Sequence, residues 1–171
     1  FNLLGSHDTP RLLTRLHGDK TLSRLAAVVQ FTFPGVPCVY YGDEIGLKNE
    51  DGFAQRNCFP WDEQQWDMET FGFYQKLIAL RRENRALAEG EIRILHLEDD
   101  LILYARVLSG QWVLVSANRA EEMHPPVRLT LPELNLPGDR RFNALFGSGS
   151  MKAGTGWLEL PELPQGGEVW L

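Results

Sequence analysis

Apolar residues recur along the first part of the chain in two different rhythms. "FNLLG", residues 1–5, is a short apolar run that reads as a strand. Behind it Asp8 or Thr9 is placed to cap a helix, Pro10 suits a first helical turn, and "RLLTRLHG" carries that helix to Gly18. Asp19 is placed to cap a second helix, in which Leu22, Leu25, Ala26, Val29 and Phe33 return at helical spacing until "FPGVP" stops it. "VPCVYYG" is then continuous, β-branched and aromatic, the texture of a strand buried on both faces of a parallel sheet. Residues 43–66 show no period, and an aperiodic stretch of that length in a compact domain is usually functional or mobile. Asp67 opens a further helix, "METFGFYQKLIALRREN". Its Phe71, Tyr74, Leu77, Ile78 and Arg81 fall on one side, and Lys76, Arg82 and Glu83 face water.

After residue 90 the rhythm changes. "IRILHLEDDLILYARVLSGQWVLVSANR" consists of partly alternating β-branched runs divided by "EDD" and "SGQ", which predicts hairpins. "VRLTL", "RRFNALF", "WLEL" and "EVWL" continue the pattern, so this half reads as an antiparallel β-sandwich. The boundary places residues 1–88 in one unit and 89–171 in the next. The first unit is strand, helices, strand, loop and helix, which makes two βα units of a parallel α/β architecture. Two parallel strands cannot form a sheet covered on both faces, and a (β/α)8 TIM barrel needs ~250 residues. The expectation is therefore an α/β plus β chain: the last two βα units of a barrel, incomplete here, followed by a C-terminal sandwich. The chain opens on Phe1 inside an apparent strand, as expected of a piece of a longer protein.

Composition narrows the function classes. The 171 residues are 43% hydrophobic and 23% charged, as in ordinary globular proteins. A net charge of −6 offers no basic face for nucleic acid and no attraction to anionic membranes. The most apolar stretch, "LAAVVQFTFPGVPCVYYG", is too interrupted by Gln30, Pro34, Gly35 and Pro37 to span a bilayer. Two cysteines, Cys38 and Cys58, suit a reducing, cytoplasmic compartment and form neither a disulfide framework nor a CxxC metal site. The histidines His7, His17, His96 and His124 have no metal-ligand spacing, and no oxygen-ligand cluster calls for calcium, so no cofactor or metal is expected. Oligomeric state is not legible.

In a barrel, side chains at the C-terminal ends of strands line the active site. "FNLLG" runs into His7 and Asp8, and "VPCVYYG" into Asp43 and Glu44. Asp8 reads equally as a helix cap and as a site carboxylate. His7 reads as a half-buried, hydrogen-bonded histidine or as a ligand contact. Arg56 and Trp61 in "QRNCFPWD" are secondary candidates, with Arg56 either touching substrate or pairing with Glu50 or Asp51. Arg11 reads as one partner of a helix-surface ion pair. Trp112, Trp157 and Trp170 read as sandwich core more readily than as a sugar-stacking platform.

"NLLGSHDTPR" followed by "PGVPCVYYGDEIGL" resembles the last signature segments of the α-amylase family of glycoside hydrolases, which mark the seventh and eighth strands of its barrel. Ser6 stands where the family commonly has Asn, as in the branch of neopullulanases, cyclomaltodextrinases and maltodextrin glucosidases. "QRNCFPWDEQQWDMETFGFYQKLIALRRENRAL" and "YARVLSGQWVLVSANR" look most like the maltodextrin glucosidases. The resemblance covers residues 1 to about 119 well and is loose beyond them.

The resemblance implies that Asp8 is the third carboxylate of a retaining glycosidase site, holding ring hydroxyls of the sugar at the scissile bond. His7 would donate to the same sugar, and Arg56 would contact substrate. The nucleophile and acid/base would lie on the fourth and fifth strands, outside these residues, and Asp43 and Glu44 would be structural. The implied protein is an intracellular α-glucosidase releasing glucose from short maltodextrins, with this segment inactive alone. The alternatives are a neopullulanase or cyclomaltodextrinase, or a non-catalytic carbohydrate-binding or scaffold module.

Overall fold

The computed structural model describes residues 1–49, 56–132, 134, 136 and 139–171. Strand β1 (Asn2–Leu3) and strand β2 (Pro37–Cys38) lie side by side in parallel, Asn2 opposite Pro37 and Leu3 opposite Cys38. Both strands are shorter than the apolar runs that announce them. Two buried-facing amides hold the pair: Gln30 donates to the carbonyls of Asn2 (2.9 Å) and Cys38 (3.0 Å), and Asn2 donates to that of Pro34 (3.1 Å). Between the strands run α1 (Leu12–Arg15) and α2 (Lys20–Thr32). After them come α3 (Met68–Glu83) and α4 (Arg85–Glu89).

The caps of the two long helices are those the sequence predicts. Asp19 accepts the Leu22 N–H at 2.9 Å, and Asp67 accepts the Thr70 N–H at 3.1 Å. The cap expected from Asp8 or Thr9 is absent. Helix α1 is a single turn, and its first free N–H, that of Arg11, donates instead to the Asn49 side chain at 2.7 Å. Helix α2 buries Ala27, Val28 and Phe31, while Leu22, Leu25, Ala26 and Val29 are only half-buried. The buried stripe is rotated because a strand of the second half presses on α2. A Cβ at Gly167 would lie 2.7 Å from the Val28 side chain, so the helix rests on bare backbone. On α3, Ile78 is exposed and Leu80 is buried in its place.

The second half is an eight-stranded antiparallel sheet, curled so that its two ends face one another as a sandwich. Its strands are β3 (Glu91–Leu97), β4 (Leu101–Leu108), β5 (Gln111–Asn118), β6 (Val127–Thr130), β7 (Arg140–Phe146), β8 (Ser150–Gly154), β9 (Trp157–Leu160) and β10 (Gly166–Trp170). Their spatial order is β3-β4-β5-β10-β7-β8-β9-β6. The expected turns join β3 to β4 and β4 to β5, the latter with Ser109 and Gly110 both at positive φ (48° and 83°). Strands alternate side chains between two faces. Leu101, Leu103 and Leu114 point to the inner core with Phe142, Met151 and Trp170. Tyr104, Val113, Val115 and Val169 point to the opposite face and pack with Val28, Phe31 and Leu77 of the helices. Two apolar faces explain why "LILYARVL" is nearly unbroken in hydrophobicity. Trp112 and Trp170 belong to the core, and Trp157 carries the Arg128 guanidinium 4.3 Å from its ring centroid.

Arg106 of β4 ties the halves together. It is 1% exposed and donates to the carbonyls of Thr32 (2.6 Å), Leu87 (2.8 Å) and Gly90 (2.6 Å), at or near the C-terminal ends of α2 and α4. Cations are favoured at helix C-termini, and an unpaired buried carbonyl is costly. Arg106→Met fills the same space without a donor. It should lower stability by about 3 kcal/mol or more, read as a shift of the urea midpoint at unchanged slope. An unchanged midpoint would remove Arg106 from this role.

No helix among the described residues is long and apolar enough to cross a membrane.

Candidate functional site

The site begins with a turn made by hydroxyls. Past β1, Ser6 Oγ accepts the Asp8 N–H (3.2 Å), and Thr9 Oγ1 accepts the Ser6 N–H (3.1 Å). These small side chains take up the local backbone donors, as Ser and Thr do in turns. The Asp8 carboxylate is thereby released from capping and faces outward, 67% exposed.

Three of the expected residues meet there. His7 Nε2 lies 3.1 Å from Asp8 Oδ2, and Arg56 Nη2 donates to Asp8 Oδ1 at 2.8 Å. Arg56 Nε also donates to the His7 carbonyl at 3.0 Å, so one guanidinium grips both residues of the pair. Its alternative partners Glu50 and Asp51 lie outside the described residues. The side chains of His7, Asp8 and Arg56 are all more than half exposed. Trp61 is exposed nearby in sequence, against Phe59, while Trp66 anchors that loop by donating to the Pro60 carbonyl (2.7 Å).

The second strand end is closed rather than open. Glu44 Oε2 accepts the Gly42 N–H at 2.7 Å. Asp43 is 7% exposed, 3.7 Å from Arg11 Nη1, and burial pushes its carboxyl up to about 6 against the opposing pull of Arg11, with Glu44 adding to the rise. Neither can serve as one of two carboxyls flanking a bond.

Arg11 is not on the helix surface as its position suggested. It is 1% exposed, donates to the Tyr41 carbonyl at 2.6 Å, and lies 5.0 and 4.9 Å from the ring centroids of Tyr40 and Tyr41. The sequence signal for it is faint: an arginine just after a strand-end pair, matched by an aromatic pair at the end of the neighbouring strand.

The arrangement can bind neutral polyhydroxylated ligands and present an anion to a developing positive charge. It holds one exposed carboxylate and no second one to pair with it among the described residues. A cavity of about 650 Å3 is lined by sandwich residues such as Arg93, Trp112 and Leu131, not by His7 or Asp8. Among the described residues no group of three or more His, Cys, Asp or Glu is placed to hold a metal ion.

Residues 1–70 match the family model described as alpha amylase, catalytic domain. A cyclomaltodextrinase of Geobacillus thermopakistaniensis is 42% identical over 124 residues, covering 71% of this chain and 21% of the relative. An intracellular maltogenic amylase of Bacillus subtilis is 36% identical over 144 residues, covering 82% of this chain and 24% of the relative. The chain thus spans about a fifth to a quarter of the curated relatives' length. Among solved structures, a cyclomaltodextrinase superposes with a TM-score of 0.80 at 34% identity over 100% of this chain and 29% of its own. The debranching enzyme of Nostoc punctiforme gives 0.77 at 30% over 98% and 34%.

Proposed function

We propose that the chain, whose residues 1–70 match the catalytic-domain model of the α-amylase family of glycoside hydrolases, supplies the sugar-holding corner of a maltodextrin-hydrolysing site. The observation that carries this is the exposed Asp8 carboxylate, fixed on one oxygen by Arg56 and on the other by His7 at a strand end. Residues 1–88 are the closing portion of the barrel and 89–171 the trailing sandwich.

Retaining hydrolysis needs a nucleophilic carboxylate and an acid/base roughly 5 Å apart around an oxocarbenium-like transition state. Asp43 and Glu44 are committed elsewhere, and the resemblance to the family assigns both of those groups to its fourth and fifth strands, in the rest of the protein. Asp8 takes hydroxyls of the distorted ring and places negative charge beside the developing cation. His7 donates to the same ring, and Arg56 fixes the carboxylate and meets the sugar on its other side.

Within the family, the named relatives favour the cyclomaltodextrinase, maltogenic amylase and neopullulanase branch over an α-glucosidase of the maltodextrin glucosidase type. The two branches separate on substrate. The intact protein should open β-cyclodextrin and release mainly maltose from linear maltodextrins; glucose release from maltotriose with cyclodextrins untouched would return the glucosidase reading. The 171-residue chain by itself should release no sugar from either substrate. Turnover by the isolated chain would mean that the nucleophile lies within it.

A further inference from the structure

Arg56 is long, more than half exposed, and tethered through a loop. An exposed ion pair does not hold so flexible a side chain in one place, because ordering it costs about as much as the pair returns. Something else must fix the backbone from which it reaches.

We propose that Tyr41 is that support: a positioning residue whose hydroxyl sets Asp8 through Arg56. The inference rests on the reading of Asp8 as part of a sugar site. Tyr41 Oη donates to the carbonyl of Asn57, the residue directly after Arg56, at 2.8 Å. Tyr41 is itself held from below. Its carbonyl accepts Arg11 Nη1 at 2.6 Å, and its ring centroid lies 4.9 Å from a guanidinium that is 1% exposed. Tyr40 packs beside it with ring centroids 4.7 Å apart. A rigid path therefore runs from the buried Arg11, through the Tyr41 ring, to the Asn57 backbone and on to Arg56. Arg56 then places two hydrogen bonds, on the His7 carbonyl and on Asp8 Oδ1. The contacts of Arg11 with Tyr41, of Tyr41 with Asn57 and of Arg56 with Asp8 each join segments distant in sequence, and the Tyr41 hydroxyl carries the path from its buried part to the Asn57 backbone.

The test is Tyr41→Phe in the intact protein, which removes one oxygen and leaves the ring on Arg11. Amide hydrogen exchange should accelerate at residues 57–59, with the melting temperature unchanged. On a maltodextrin substrate kcat should fall by about tenfold, the scale of a modest misplacement of a reacting group, while KM changes little. Arg56→Ala should lower kcat at least as far, and the Tyr41→Phe/Arg56→Ala double variant should match Arg56→Ala alone. Unchanged exchange, or losses that multiply in the double variant, would overturn the proposal. A wild-type protein inert on maltodextrins would overturn the functional reading instead, and the exchange data would still decide whether Tyr41 fixes the loop.

Discussion

Asp8→Asn in the intact protein should lower kcat on maltodextrins by about a hundredfold or more, with a smaller change in KM. The estimate follows from what a single well-placed electrostatic contact contributes in a transition state. Asparagine keeps the shape and one acceptor oxygen, so a sugar hydroxyl can still be held in the ground state. What it loses is the negative charge beside the ring carbon as positive charge develops there. The loss cannot be ascribed to unfolding. Asp8, His7 and Arg56 are all more than half exposed, and exposed pairs of this kind contribute at most about 1 kcal/mol to stability. Thermal melting of the variant should therefore overlay the wild type. Turnover within threefold of wild type would take Asp8 out of the site, and with it the functional reading.

The second large effect concerns stability. Arg11→Met should destabilise the protein by about 3–5 kcal/mol at pH 7.5, because it leaves the buried Asp43 carboxylate without its opposite charge. The carboxyl already sits high, at about 6, because it is buried. The folded protein therefore binds the Asp43 proton more tightly than the unfolded chain does. Between about pH 4 and 6 the native state holds more protons, so this group's contribution to stability falls as pH rises through that window and is lowest above it. Two consequences are measurable by urea titration. The penalty of Arg11→Met should shrink at pH 5, where Asp43 takes up a proton. Asp43→Asn removes the titrating group while leaving the buried Arg11 guanidinium in place, so it should flatten the dependence of stability on pH between about pH 4 and 6. A pH-independent penalty for Arg11→Met would show that Arg11 acts through Tyr41 alone.

The features that could be read from the sequence are those set by neighbours along the chain. Asp19 and Asp67 cap the helices they precede, and Ser109-Gly110 turns the hairpin it interrupts. The pairing of His7 with Asp8 is also a matter of adjacency. Features set by distant partners are not legible locally. The cap reading of Asp8 stands beside the site reading because nothing local shows that Asn49 takes over the Arg11 N–H, or that Ser6 and Thr9 supply the turn. Arg11 looked like a surface residue because its aromatic neighbours arrive about 30 positions later. Strand β8 was missed because "SMKAG" has no β-branched residue, and only its alternation of Met151 and Ala153 into the core marks it. The face of α2 was misplaced because the selecting contact, Val28 on Gly167, depends on a glycine whose use is invisible without its partner.

That contact also matters for engineering by recombination. Residue 90 looks like the natural seam at which to exchange one relative's sandwich for another's. Yet Gly167 lies beyond the seam and the valine seated on it lies before it, and Arg106 reaches back across to Thr32 and Leu87. A chimera joined there inherits a lock from one parent and a key from the other. An alanine at position 167 would be enough to jam it.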